Sequence, residues 1–91
     1  MTLLLNGHVI LIRERTNQMK SVHLTNEKTL ADALKLRRKE LGITQKQLAA
    51  FCNLSHNGIS RIEVADSDVK LSTLLKMSKM LGFKIALELE E

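Results

Sequence analysis

The stretch TQKQLAAFCNLSHNGISRIE, residues 44–63, constrains the chain more than any other part of it. Its apolar residues form two helical stripes, Leu48, Ala49 and Phe51 and then Ile59 and Ile62, with about three residues to join them. Thr44 with Gln47 three positions on makes a capping box, and Ser55 is a strong cap for the second stripe. Two short helices are therefore expected, at about 44–51 and 55–63. Asn53 suits the left-handed residue that a tight turn between them needs. Helices this short have little stability of their own, so packing must hold the corner. Ala49 and Gly58 are the small residues where the pair would cross. A close crossing would explain a glycine that costs about 1 kcal/mol inside a helix.

The helical rhythm continues on both sides. Leu30, Ala33, Leu34 and Leu41 share one face while Lys35, Arg37 and Lys39 point elsewhere, which predicts a helix over about 29–41. Thr29 or Asn26 can cap its start and Gly42 its end. After the polar loop EVADSDVK, Ser72 is expected to cap a fourth helix, whose stripe of Leu74, Leu75, Met77, Met80 and Leu81 stops at Gly82. The tail then changes period. Phe83, Ile85, Leu87 and Leu89 alternate with Lys84, Ala86, Glu88 and Glu90, the pattern of a strand. At the other end, LLLNGHVILI places Asn6-Gly7 between two β-prone runs, a hairpin signal. A terminal strand needs a neighbour, either this hairpin or the same strand of a second subunit. Met19 offers a second plausible beginning, which makes residues 1–18 readable as an extension the domain does not need. The organisation that follows is an N-terminal extension over 1–28, free to dock as a hairpin or to move; a helical domain over 29–82; and a dimerisation strand over 83–91.

Ninety-one residues support one core. With no proline and only Phe51 and Phe83 as aromatics, that core must be aliphatic, which suits packed helices. The single cysteine, Cys52, excludes an internal disulfide, fits a reducing compartment and falls where a small buried thiol would. The opening MTLLLNGHVILIRER lacks the marks of a signal peptide, and no apolar run reaches the roughly 18 residues of a membrane span. A cytoplasmic protein without membrane contact is expected. His8, His23 and His56 lie in separate segments without ligand spacing, and neither a glycine-rich phosphate loop nor a nucleophile elbow occurs. No metal, cofactor or catalysis is expected. Charge is divided: residues 20–62 carry eight Lys and Arg against Glu27, Asp32 and Glu40, whereas residues 63–91 carry four lysines against six acids. A basic centre and an acidic tail suggest surfaces for different partners, the first a polyanion such as nucleic acid.

Three segments, LRRKELGITQKQLA, LSHNGISRIE and LSTLLKMSKMLGF, together resemble the phage-repressor, Cro-like (XRE-type) helix-turn-helix family over residues 33–83, with no insertion or deletion. The resemblance implies a mainly α fold. This is a four- to five-helix lambda-repressor-like bundle with a C-terminal β-strand pairing across a dimer, to which an N-terminal hairpin can be added. It also implies a sequence-specific DNA-binding transcriptional repressor. Carried over by position, Gln45 would lock against a phosphate at the helix N-terminus, with Lys46 beside it as a second phosphate partner. His56 and Asn57 would reach base edges; Ser60 and Arg61 would reach bases or flanking phosphates, and Ser55 at the cap belongs to the same DNA-binding set. Arg38 would pair with Glu63 in a structural ion pair. The chain departs from the family where Gly58 replaces a small hydroxyl residue, where Asn53 replaces glycine, and in VADSD after Glu63. Asp66 and Asp68 would repel DNA if they faced it.

The segment TLADALKLRRKELGITQ is also similar to the HipB-like antitoxins of HipA-type kinase toxin systems, whose tails pair in an intersubunit sheet. That similarity implies a homodimer joined through Phe83, Ile85, Leu87 and Leu89, an inverted-repeat operator in double-stranded DNA, and a HipA-type kinase toxin as partner. Two other functions compete: a stand-alone or phage-type regulator, and a protein-interaction adaptor that kept the fold without DNA binding.

Overall fold

Local capping sets the helix boundaries. The computed structural model describes residues 9–13 and 20–90, with side chains from residue 21 onward. Its elements run β1 (Val9–Arg13), β2 (Lys20–Leu24), α1 (Glu27–Glu40), α2 (Gln45–Cys52), α3 (His56–Glu63), α4 (Leu71–Leu81) and β3 (Phe83–Leu87). Asn26 caps α1, accepting from the Thr29 N–H at 2.9 Å while the Thr29 hydroxyl receives the Asn26 N–H, so this helix starts before residue 29. Thr44 and Gln47 form the capping box of α2, and Ser55 caps α3. Ser72 does not cap α4. Lys70 takes the extended cap conformation and its carbonyl accepts the Leu74 N–H at 3.0 Å, so the helix is already under way at Ser72.

The first three helices end in the same way. Gly42, Asn53 and Ala65 are left-handed, and each is followed by an N–H that returns to a carbonyl five residues back: Ile43 to Arg38, Leu54 to Ala49, Asp66 to Arg61. Gly82, at φ 67°, closes α4.

Leu34, Leu48, Ile59, Met77 and Leu81 are wholly buried, one or two from each helix, and Ala49, Cys52, Ile62, Leu74 and Phe83 complete the core. Phe51 and Leu75, expected in the apolar stripes, are about half exposed. At 100° per residue Phe51 lies about 60° and 100° from its buried neighbours Leu48 and Cys52, and Leu75 about 100° and 160° from Leu74 and Met77. Ala49 is buried as a close helix approach requires. Gly58 serves a different purpose from the one expected. A Cβ there would meet the Ser55 hydroxyl at 3.3 Å and Leu54 Cβ at 3.8 Å, and no atom of α2. The glycine leaves room for the cap of its own helix.

The sheet has the order β2-β1-β3, with both pairs antiparallel. Phe83 to Leu87 is thus laddered to Arg13 to Val9 of its own chain, the N-terminal hairpin being one of the two neighbours expected for it, and the outer edge of β3 is left open. The reason is proximity. β3 leaves α4 through Gly82 alone, and buried Phe83 pins it to the bundle where β2 packs on α1. The described hairpin joins Val9–Arg13 to Lys20–Leu24; the expected Asn6-Gly7 turn lies outside the described residues. The central strand therefore falls within residues 1–18. Among the described residues no helix is long and apolar enough to cross a membrane.

A chain beginning at Met19 would lack β1, leaving β2 and β3 without their common neighbour. Hydrogen exchange is expected to show that Phe83–Leu87 loses its amide protection while α1 to α4 keep theirs. Unchanged protection of β3 would mean that something other than β1 holds it.

Candidate nucleic-acid interface

The corner of α2 and α3 is held by a run of four polar side chains. Arg38 of α1 grips the carboxylate that ends α3 as a fork, Nε to Glu63 Oε2 at 2.6 Å and Nη2 to Oε1 at 2.9 Å, while Nη1 donates to the Ile43 carbonyl at 2.8 Å. The Glu63 side chain is 1% exposed. Gln45, at the start of α2, donates from Nε2 to Glu63 Oε1 at 3.0 Å, and its Oε1 lies 2.8 Å from His56 Nε2. These contacts set the polarity of the run. Because the Gln45 amide nitrogen faces a carboxylate, its oxygen faces His56, whose Nε2 must be the donor. In the neutral ring Nδ1 is then the acceptor.

Burial pushes the Glu63 carboxyl up, but hydrogen bonds from Arg38 and Gln45 and the charges of Arg38 and Lys35 outweigh it. The net result is a carboxyl below the ordinary range. Burial raises the Cys52 thiol more than nearby Lys76 lowers it, which leaves an unreactive thiol.

Helix α3 turns Ile59, Ile62 and Glu63 inward, carries Asn57 and Arg61 on the opposite side, and has Ser60 and His56 on the flank between. His56, Asn57 and Arg61 are exposed and Ser60 is half-buried. Lys46 is exposed and Gln45 half-buried beside them. Ser55 is exposed, with its hydroxyl engaged by the Gly58 N–H at 2.9 Å. Gln45, Lys46, Lys39 and His56 line one shallow depression at the start of α2, where the helix presents free N–H groups. Polar side chains and positive charge thus meet where α2 and α3 begin.

The tail residues are not brought together in the same sense. Phe83 is buried and Ile85 packs against the core, whereas Leu87 and Leu89 are about 70% exposed. The strand rhythm lapses after Ile85, and Glu88 is buried instead.

Two charged side chains were misjudged or missed by the sequence reading. Arg37, placed away from the core face, is buried with its Nε donating to the Leu81 carbonyl at 2.7 Å; it caps the C-terminus of α4. Only a basic residue near the end of α1 hinted at this, and α4 is distant in sequence. Asp66, read only as a repulsive charge, meets Arg61: Nε lies 3.4 Å from Oδ2, and Nη2 donates to the Asp66 carbonyl at 3.1 Å. The turn that delivers it holds Ala65 at φ 59°, a conformation that costs an L-residue about 1–2 kcal/mol. Among the described residues no group of His, Cys, Asp and Glu is placed to hold a metal ion.

A helix-turn-helix family model matches residues 34–87. Among solved structures, the restriction-modification controller protein C.AhdI from Aeromonas hydrophila is 24% identical, with a TM-score of 0.58; the match covers 60% of this chain and 83% of that one. That likeness is one of fold. A chain of a structure described as the HipA-HipB-O2-O3 complex is 31% identical with a TM-score of 0.56, covering 64% and 82% respectively. A chain described as MDT protein gives the same figures. A search of curated proteins finds no match.

Removing the Arg38 side chain would leave Glu63 buried without its cation, so Arg38→Ala is expected to cost about 3–5 kcal/mol in denaturant unfolding. The pair also sets a pH dependence. Because the folded carboxyl is depressed, its contribution is present above the ordinary carboxylate range and is lost as pH falls through the folded value. Glu63→Gln is expected to flatten that acid limb of the stability profile; an unchanged slope would place the acid sensitivity elsewhere.

Proposed function

This chain belongs to the helix-turn-helix family of DNA-binding transcriptional regulators, and from that premise we propose that it is a sequence-specific repressor and the antitoxin of a kinase toxin–antitoxin operon. The observation that carries the DNA reading is the exposed side of α3, fixed to the N-terminus of α2 by Gln45. In this reading α3 enters the major groove. Asn57 pairs with adenine and Arg61 with guanine, the two side chains suited to bidentate contact with those bases. His56, held by its Nε2, offers Nδ1, while Ser60 reaches a base or phosphate one turn along. The start of α2 receives a phosphate, with Lys46 supplying charge. Gln45 contributes the second hydrogen of its amide, since Glu63 takes the first. Ser55 contributes through the cap that orients α3.

One such head reads few base pairs, and two on an inverted repeat read enough for specificity. The homodimer is proposed to form along the outer edge of β3, which β1 leaves open, with Leu87 and Leu89 as its apolar contacts. Phe83 and Ile85 support that edge from within. The antitoxin role draws on the likeness to a chain of the HipA-HipB-O2-O3 complex and on the separation of a basic reading side from an acidic tail. A HipA-type kinase is the proposed toxin. The C.AhdI likeness fits a stand-alone regulator equally well in fold; copurification of a kinase from native cells distinguishes the two.

Binding to a duplex selected from a random pool is expected to weaken steeply with salt, with a log–log slope of about −0.9 per phosphate neutralised. Asn57→Ala is expected to cost about 1–3 kcal/mol on the selected duplex and much less on a scrambled one. Equal losses on both would make Asn57 a backbone contact.

Leu87→Lys with Leu89→Lys is expected to yield monomers in sedimentation at micromolar concentration without loss of helix content. A dimer that persists would move the interface away from β3.

A further inference from the structure

We propose that Asp66 determines specificity by bracing Arg61, so that the guanidinium reads guanine instead of drifting to the phosphate backbone. The inference rests on the DNA-binding reading above and deepens it. A guanidinium has two usable edges. Its side edge, made by Nε–H and one N–H of Nη2, is taken by Asp66, through Oδ2 at 3.4 Å and the main-chain oxygen at 3.1 Å. The end-on fork of Nη1 and the second Nη2 hydrogen is left over, and that fork matches the O6 and N7 acceptors of guanine. The Arg61 side chain is 52% exposed, so the fork is open to a ligand.

The brace is built into the backbone. Ala65 in the left-handed conformation folds the chain back after α3, and the Asp66 N–H closes the turn on the Arg61 carbonyl at 2.9 Å. The residue that fixes the turn and the residue that fixes the guanidinium are thus the same. Without the carboxylate, a long flexible arginine beside a duplex finds phosphates on any sequence. With it, a phosphate meets a guanidinium whose charge is partly answered and an acid that repels it. Asp66 therefore weakens binding everywhere, and least where a guanine accepts the fork. Asp68 is exposed two residues further on in the same loop and supplies a control of equal charge.

The test uses the full-length protein, the duplex it selects from a random pool, and a scrambled duplex of the same length. Asp66→Ala keeps the main-chain bond of the turn, and circular dichroism checks that the helices remain. It is expected to raise affinity for the scrambled duplex by about three- to tenfold and to steepen its salt slope by about 0.9 per protomer, one added phosphate contact. Affinity for the selected duplex should gain less, so the ratio of the two falls. In an Arg61→Ala background the same change should leave the ratio of the two duplexes unaltered, because relief of simple repulsion acts equally on both. An unaltered ratio and slope, an equal fall in the ratio for Asp68→Ala, or a fall in the ratio that persists without Arg61 would each overturn the brace. A wild-type protein that selects no duplex overturns the DNA-binding reading itself.

Discussion

The buried pair of Arg38 and Glu63 is the interaction on which the geometry of the molecule depends. Helices α2 and α3 have eight residues each, too short to persist unaided, and α3 is capped only by a serine. Their mutual angle has to be imposed. The ion pair does this by tying the end of α3 to α1, and Gln45 extends the tie to the start of α2. Removing two charges from water offsets most of what their attraction contributes, so the pair is weak as a source of net stability. Its value lies in direction. A fork of two hydrogen bonds tolerates one arrangement of three helices, where an aliphatic contact would tolerate several. The same run of side chains ends at His56, so the exposed side of α3 inherits its geometry from the interior.

Features controlled within one turn of chain were legible in the sequence. The capping box of Thr44 and Gln47, the Ser55 cap, the left-handed Asn53 and the stop at Gly82 all depend on a few neighbouring residues. Features controlled by distant contacts were not. Arg37 looks like any solvated arginine until α4 brings the Leu81 carbonyl to it. Gly58 was read as a crossing residue, but its nearest atoms lie in its own cap. The tail shows the boundary well. Alternation identified a strand from Phe83, and periodicity says which way side chains point. It is silent on which strand lies alongside, and β1 proved to be that strand.

Charge was legible in sign but not in direction. Counting residues marked the centre as basic and VADSD as a liability, because an acid near a duplex repels it. The structure turns one of these acids onto Arg61 at the surface. A net charge count treats Arg61 and Asp66 as cancelling; in space they form an oriented unit with one polar edge used and one exposed. The distinction matters at the reading surface, where free positive charge favours every sequence and oriented hydrogen bonds favour a few.

The sheet links this surface to assembly. One glycine separates α4 from β3, and Phe83 is buried directly after it, so the strand has little freedom relative to the bundle. A second copy that joins along β3 would therefore place its own α3 at a distance and angle set by the fold. Two recognition helices must sit about one turn of duplex apart, roughly 34 Å, to enter successive major grooves on one side. A flexible tail would leave that spacing to the DNA and lose free energy in ordering it at each binding event. A strand anchored at both Phe83 and β1 would carry the spacing in advance, and in such a dimer the N-terminal strand would bear on how DNA is read.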